Sequence, residues 1–132
     1  MNENTTTRTA ADITPAALRG RFCLAHRVTV YVPSTVDAAA DAGAAKIRAL
    51  KEQTARTLSQ LFGGATETAG RGYWISAEHG LIREDVSPIY SNCTVEQLEQ
   101  SAAAVIRLCE YIRDDMRQEA VSLEIDGRLY FI

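Results

Sequence analysis

The chain has 132 residues, with fourteen basic and seventeen acidic side chains for a formal net charge of −3, and 46% of its residues are hydrophobic. That length and composition describe one ordinary domain able to bury a core without staples. The acidic balance argues against coating a nucleic-acid polymer, although a local basic pocket remains open. No apolar run reaches membrane-spanning length.

The first 22 residues are a polar, threonine- and alanine-rich lead, read as a flexible segment ahead of a single α+β domain over 23–132. Its first dozen residues are expected to be disordered, and Thr14-Pro15 to open a turn of helix with Thr14 as cap. Arg27 to Val32 alternates strictly, with Val28, Val30 and Val32 on one face and Thr29 and Tyr31 on the other, as a strand requires. Pro33 ends it. From near Asp37 or Asp41 to Phe62, apolar residues (Ala44, Ile47, Leu50, Thr54, Leu58, Leu61) recur at spacings of three and four. This predicts an amphipathic helix lying on a sheet, with Gly63 at its left-handed C-terminal position.

Arg71 to Ser76 reads as a short aromatic strand, and Ala77 to Gly80 as a turn. Leu81 to Tyr90 reads as a third strand, interrupted at Glu84-Asp85 and weakened by Pro88, which has no N–H for a ladder. Thr94-Val-Glu-Gln97 has the form of a capping box. Behind it Leu98, Ala102, Val105, Cys109, Ile112 and Met116 form a helical stripe ending near Gln118. Ala120 to Ile125 alternates again, and Asp126-Gly127 is a favoured type I′ pair that returns Arg128 to Ile132 antiparallel. The fold class expected is α+β: a ferredoxin-like β-α-β-β-α-β domain with an extra C-terminal hairpin strand, and both helices on one face of an antiparallel sheet. The other face would present Thr29, Tyr31, Ser122 and Glu124, and an open face of this kind favours a homo-oligomer.

No compact catalytic constellation is visible, so the expectation is that the protein is not an enzyme. Cys23, Cys93 and Cys109 are odd in number and lack a Cys-x-x-Cys pair, which argues against disulfides and zinc. His26 and His79 have no partner at metal spacing, and no cofactor is expected. Cys93 lies just before a helix N-terminus that would lower its pKa, but no base can be placed beside it. Gly63-Gly64-Ala65-Thr66 follows a helix, whereas a phosphate loop follows a strand. Glu78, Glu84 and Asp85 are candidate acids without clear partners. Arg113 and Arg117, four apart near a helix C-terminus, either pair with Glu110 and Asp114 or form a two-pronged anion site. Tyr73, Trp74 and Tyr90 are core aromatics or a stacking platform, with Asn92 placed to read a base edge and Arg71 beside a glycine pair. With no leader or membrane span, a cytoplasmic location is expected.

Val30-Tyr-Val-Pro-Ser-Thr35, Leu61-Phe-Gly-Gly-Ala-Thr66, Gly72-Tyr-Trp74 and the tail from Gln118 to Ile132 resemble a family of small phage and prophage proteins associated with the first Thoeris anti-defence protein. The resemblance spans roughly residues 27–132, and the extended lead departs from it. It implies a sponge, a homo-oligomer between a dimer and a hexamer, that binds a small cyclic nucleotide, a cyclic ADP-ribose isomer or a cyclic oligonucleotide, without cleaving it. The ligand residues chosen on chemistry are Arg113 and Arg117 for pyrophosphate, Tyr90, Tyr73 and Trp74 for adenine, and Asn92 and Arg71 beside them. A structural or regulatory oligomer and a hydrolase of the same nucleotides are the alternatives.

Overall fold

The computed structural model describes residues 13–36 and 40–132. The expected disorder of the first dozen residues lies outside the described residues, whereas the helix expected from near Asp37 or Asp41 begins only at Ala44, after a short strand at Ala40–Asp41 and with Gly43 at its cap. A short 3-10 turn, Ala16–Leu18, follows Pro15, which occupies the cap position and not the first helical one. Then come β1 (His26–Pro33), the two-residue strands β2 (Thr35–Val36) and β3 (Ala40–Asp41), α1 (Ala44–Phe62), β4 (Thr66–Glu67), β5 (Gly70–Ser76), β6 (Gly80–Cys93), α2 (Val95–Asp115), β7 (Ser122–Ile125) and β8 (Arg128–Phe131).

The main sheet is antiparallel, in the order β4-β6-β1-β7-β8, with β5 also paired to β6. With β4 and β5 taken together as one edge strand, this is the β-α-β-β-α-β order with one added strand, β8, and both helices cover one face. The core follows from two periodicities. Val28, Val30 and Val32 of β1, Ile89 and Cys93 of β6 and Leu123 of β7 point to the helices. Leu50, Leu58 and Phe62 of α1 and Val105, Leu108, Cys109 and Ile112 of α2 meet them. Thr54 is the polar member of that layer, and its hydroxyl donates to Leu50 O at 2.8 Å.

The expected interruption of the third strand does not occur: β6 runs unbroken for 14 residues. The break lies in its neighbour. β4 and β5 keep the same register against β6 and part opposite Pro88. Thr68 N–H donates to Pro88 O at 2.9 Å, so the side of Pro88 that lacks an N–H faces this gap. The proline therefore removes a single ladder bond at a place where the edge strand has already let go.

Helix ends carry their own chemistry. Gly63 closes α1 in the left-handed conformation at φ 97°, as its position after Phe62 predicts. Thr94 and Gln97 close the N-terminus of α2 reciprocally: Gln97 N–H donates to Thr94 Oγ1 at 3.1 Å and Thr94 N–H to Gln97 Oε1 at 2.9 Å. Its C-terminus is a Schellman turn, with Gln118 N–H donating to Arg113 O and Arg117 N–H to Asp114 O. Arg117 takes the left-handed position at φ 49°, where glycine is commoner. The Asp126-Gly127 turn has positive φ at both residues, as a type I′ turn requires. Asp126 also fastens the turn to β1, with Oδ2 2.5 Å from His26 Nδ1 and Oδ1 accepting Arg27 N–H at 2.8 Å.

Cys93 and Cys109 are buried. The lowered pKa expected for Cys93 is corrected: burial, and secondly the charge of Asp126, push it up. Burial pushes the Cys109 thiol up to about 12.

Two stability predictions follow. Thr94→Ala removes one side of the capping box and is expected to cost about 1 kcal/mol in urea unfolding; an unchanged midpoint would refute the role of the cap. The hydrogen bond from His26, then that from Arg27 N–H, holds the Asp126 carboxyl below its ordinary value of 3.8. A depressed carboxylate stabilises the fold fully above its unfolded pKa and loses that support as pH falls through the folded value. Asp126→Asn is therefore expected to lower Tm at pH 7 and to flatten the loss of Tm below about pH 4. Parallel Tm-against-pH curves for the two proteins would contradict this.

Candidate functional site

Clefts lie at both ends of β1. At its start, strand register places Arg27 opposite Asn92 and Thr29 opposite Tyr90, all on the face away from the helices. Arg27 Nε donates to Asn92 Oδ1 at 3.1 Å, and the guanidinium lies 4.0 Å from the Tyr90 ring centroid. Tyr90 and Asn92 line a cleft of about 400 Å³ whose other wall is Leu24 and the Gly63–Thr66 loop. Ser91 donates its hydroxyl to Gly64 O at 2.6 Å and fixes that loop against β6.

At the other end, Glu84 of β6 is half-buried, and Thr35 donates its hydroxyl to Glu84 Oε2 at 3.0 Å. Among the described residues Oε1 accepts no hydrogen bond. Glu84 borders three clefts. One of about 420 Å³ includes Ser34, Thr35, Ala44, Ile47 and Arg83. A smaller one of about 90 Å³ includes Tyr31, Gln118 and Ser122. A third of about 190 Å³ includes Arg71, Arg83 and Asp85. Gln118 Nε2 donates to Thr35 O at 2.7 Å and ties the end of α2 to this corner. Beside it, Tyr31 donates its hydroxyl to Glu124 Oε1 at 2.5 Å, and that bond, more than burial, raises the phenol's pKa.

The residues selected from sequence are thus divided. Tyr90 and Asn92 share the first cleft. Arg71 reaches the Glu84 corner, with Nε 3.7 Å from Asp85 Oδ1. Tyr73 and Trp74 are consecutive in β5, so they point to opposite faces, opposite Arg83 and Ile82 respectively, and form no common platform. Arg113 and Arg117 stand at the far end of α2, the former nineteen residues beyond the Thr94 cap, which is roughly 28 Å along the axis from the end that holds Asn92. Arg113 makes no ion pair with Glu110; its Nε donates to Asp114 Oδ1 at 3.0 Å, which raises its pKa.

Arg27 went unnoticed in the sequence because its partners lie 65 and 63 positions away. Parity with Thr29 and Tyr31 was the available signal. Glu84 read as an interruption for the same reason. Among the described residues, no group of three His, Cys, Asp or Glu side chains could hold a metal ion, and no helix is long and apolar enough to cross a membrane.

No protein-family model and no curated protein matches the chain. Solved structures do. A phage SAM lyase in complex with S-methyl-5′-thioadenosine is 21% identical with a TM-score of 0.56, over 81% of this chain and 88% of that one. A phage SAM lyase in its apo state is 22% identical with a TM-score of 0.58, over 81% and 87%. CutA from Synechococcus elongatus, 14% identical over 81% and 80%, reaches 0.47, too low to carry an argument. The likeness to the lyases is one of fold. It corrects the expectation that the protein is not an enzyme: the structures it resembles are those of an enzyme.

Proposed function

We propose that this protein is a phage-type lyase that acts on S-adenosylmethionine and releases S-methyl-5′-thioadenosine. One observation carries the reading. In a chain with the lyase fold, a half-buried carboxylate, Glu84, stands where three clefts meet, with one oxygen oriented by Thr35 and the other open. S-Adenosylmethionine carries a sulfonium and an ammonium, and a partly buried carboxylate favours such cations.

The reaction asks little of side chains. The substrate's own carboxylate attacks the γ-carbon, the carbon–sulfur bond breaks, and its electron pair returns to sulfur. The products are S-methyl-5′-thioadenosine and a five-membered lactone, with no water, acid or base consumed. Glu84 holds the cationic tail in the bent conformation this displacement needs, and the walls exclude water. A site of this kind works by positioning, which accounts for a chain with no catalytic triad or dyad to read.

The finer reading from resemblance, a cyclic ADP-ribose isomer as ligand, suits this corner less well, because two phosphates and no cation would face Glu84. The anti-defence setting is supported by the phage origin of the two lyases. Removing S-adenosylmethionine would deprive host methyl transfer of its donor. An oligomer is supported by the exposed Tyr73, Trp74, Ile75 and Leu81 on the β5–β6 hairpin, an apolar group of the kind that seeks a partner.

The test is incubation with S-adenosylmethionine followed by mass spectrometry. Release of S-methyl-5′-thioadenosine is expected. Glu84→Gln should slow it about 10- to 100-fold, as expected for loss of a charged hydrogen-bond partner, at unchanged Tm. No thioadenosine after prolonged incubation would overturn the proposal, and equal rates in the variant would remove Glu84 from it.

A further inference from the structure

We infer that the cluster of Arg27, Tyr90 and Asn92, beside the cleft that Tyr90 and Asn92 line, is a second binding site, separate from Glu84, for a small organic anion that carries a planar ring. The argument begins with donors. Arg27 uses Nε on Asn92 Oδ1, which leaves its two terminal amino groups without a described partner. Asn92 spends its carbonyl on that bond, so its Nδ2 is left as a donor with no described acceptor. Donors therefore dominate what this corner offers.

The charge points the same way. The cleft lining contains no acidic residue. Of the carboxylates on this side of the sheet, Asp126 is engaged by His26 Nδ1 and by Arg27 N–H, and Glu124 accepts from the Tyr31 hydroxyl. One wall is the C-terminal end of α1, whose carbonyls repel anions weakly, but the Gly64 carbonyl there is already covered by the Ser91 hydroxyl.

Shape supplies the ring. The guanidinium lies over the Tyr90 ring, 4.0 Å from its centroid, and its Nε is tied to Asn92 Oδ1. A planar cation presented in this way stacks a second ring on its outer face and offers its edge to an oxyanion. Leu24, 40% exposed, provides an apolar surface in the adjoining cleft of about 400 Å³. A nucleoside monophosphate combines the required ring, size and charge.

Calorimetric titration of the full chain with AMP, adenosine and inorganic phosphate tests this. AMP should bind saturably, at least tenfold tighter than either adenosine or phosphate alone, and more weakly as salt is raised. Arg27→Ala should weaken AMP at least tenfold and Arg27→Lys should restore part of it, since lysine returns the charge without the plane. Asn92→Asp should weaken it by adding a like charge. Glu84→Gln should leave AMP affinity unchanged, so this site and the lyase corner stand or fall separately. Absence of saturable AMP binding, equal affinity for AMP and adenosine, or equal affinity in wild type and Arg27→Ala would overturn the inference.

Discussion

The pairing of β1 with β6 is the constraint on which the rest depends. Eight consecutive residue pairs, from His26 with Cys93 to Pro33 with Val86, share one antiparallel register. Because side chains alternate with period two, a slip of one residue would turn every valine of β1 away from the helices. The same register decides the chemistry: it sets Arg27 across from Asn92 and Thr29 across from Tyr90, and its continuation past Pro33 brings Thr35 to Glu84. Burial of one face therefore fixes the geometry of the other, and the clefts are by-products of a well-packed core at either end of one strand.

What could be read from the sequence was what is local. The valine alternation of β1, the apolar stripes of both helices, the Thr94–Gln97 box, the glycine after Phe62 and the Asp126-Gly127 turn are all properties of short windows, and all are present. Interactions across the sheet were not legible. Pro88 looked like a flaw in its own strand, whereas its missing donor faces a gap in the neighbouring one. Glu84 looked like an interruption because Thr35, its partner, lies 49 positions earlier. Tyr73 and Trp74 are adjacent in sequence and divided by the sheet, while Arg27 and Tyr90 are distant in sequence and in contact.

The missing triad was a poor guide for a different reason. Most catalytic constellations are recognisable because the substrate's leaving group is poor and must be helped by acids, bases or metals. A sulfonium needs no such help. An enzyme acting on one can consist of a shaped corner, a single oriented carboxylate and the exclusion of water, and to sequence inspection this looks like a binding protein. Glu84, held by a threonine hydroxyl two residues past β1 and roofed by the end of α2 through Gln118 and Thr35, has that form.

The most direct test of this account is where the product sits. Backbone hydrogen exchange measured with and without S-methyl-5′-thioadenosine should show slowed exchange at Ser34–Thr35, at Glu84 and its neighbours in β6, and around Gln118, with little change at Arg27 and Asn92. Protection confined to Tyr90, Asn92 and the Gly63–Thr66 loop, or no protection at a saturating concentration of the thioadenosine, would contradict the assignment of the Glu84 corner as the lyase site.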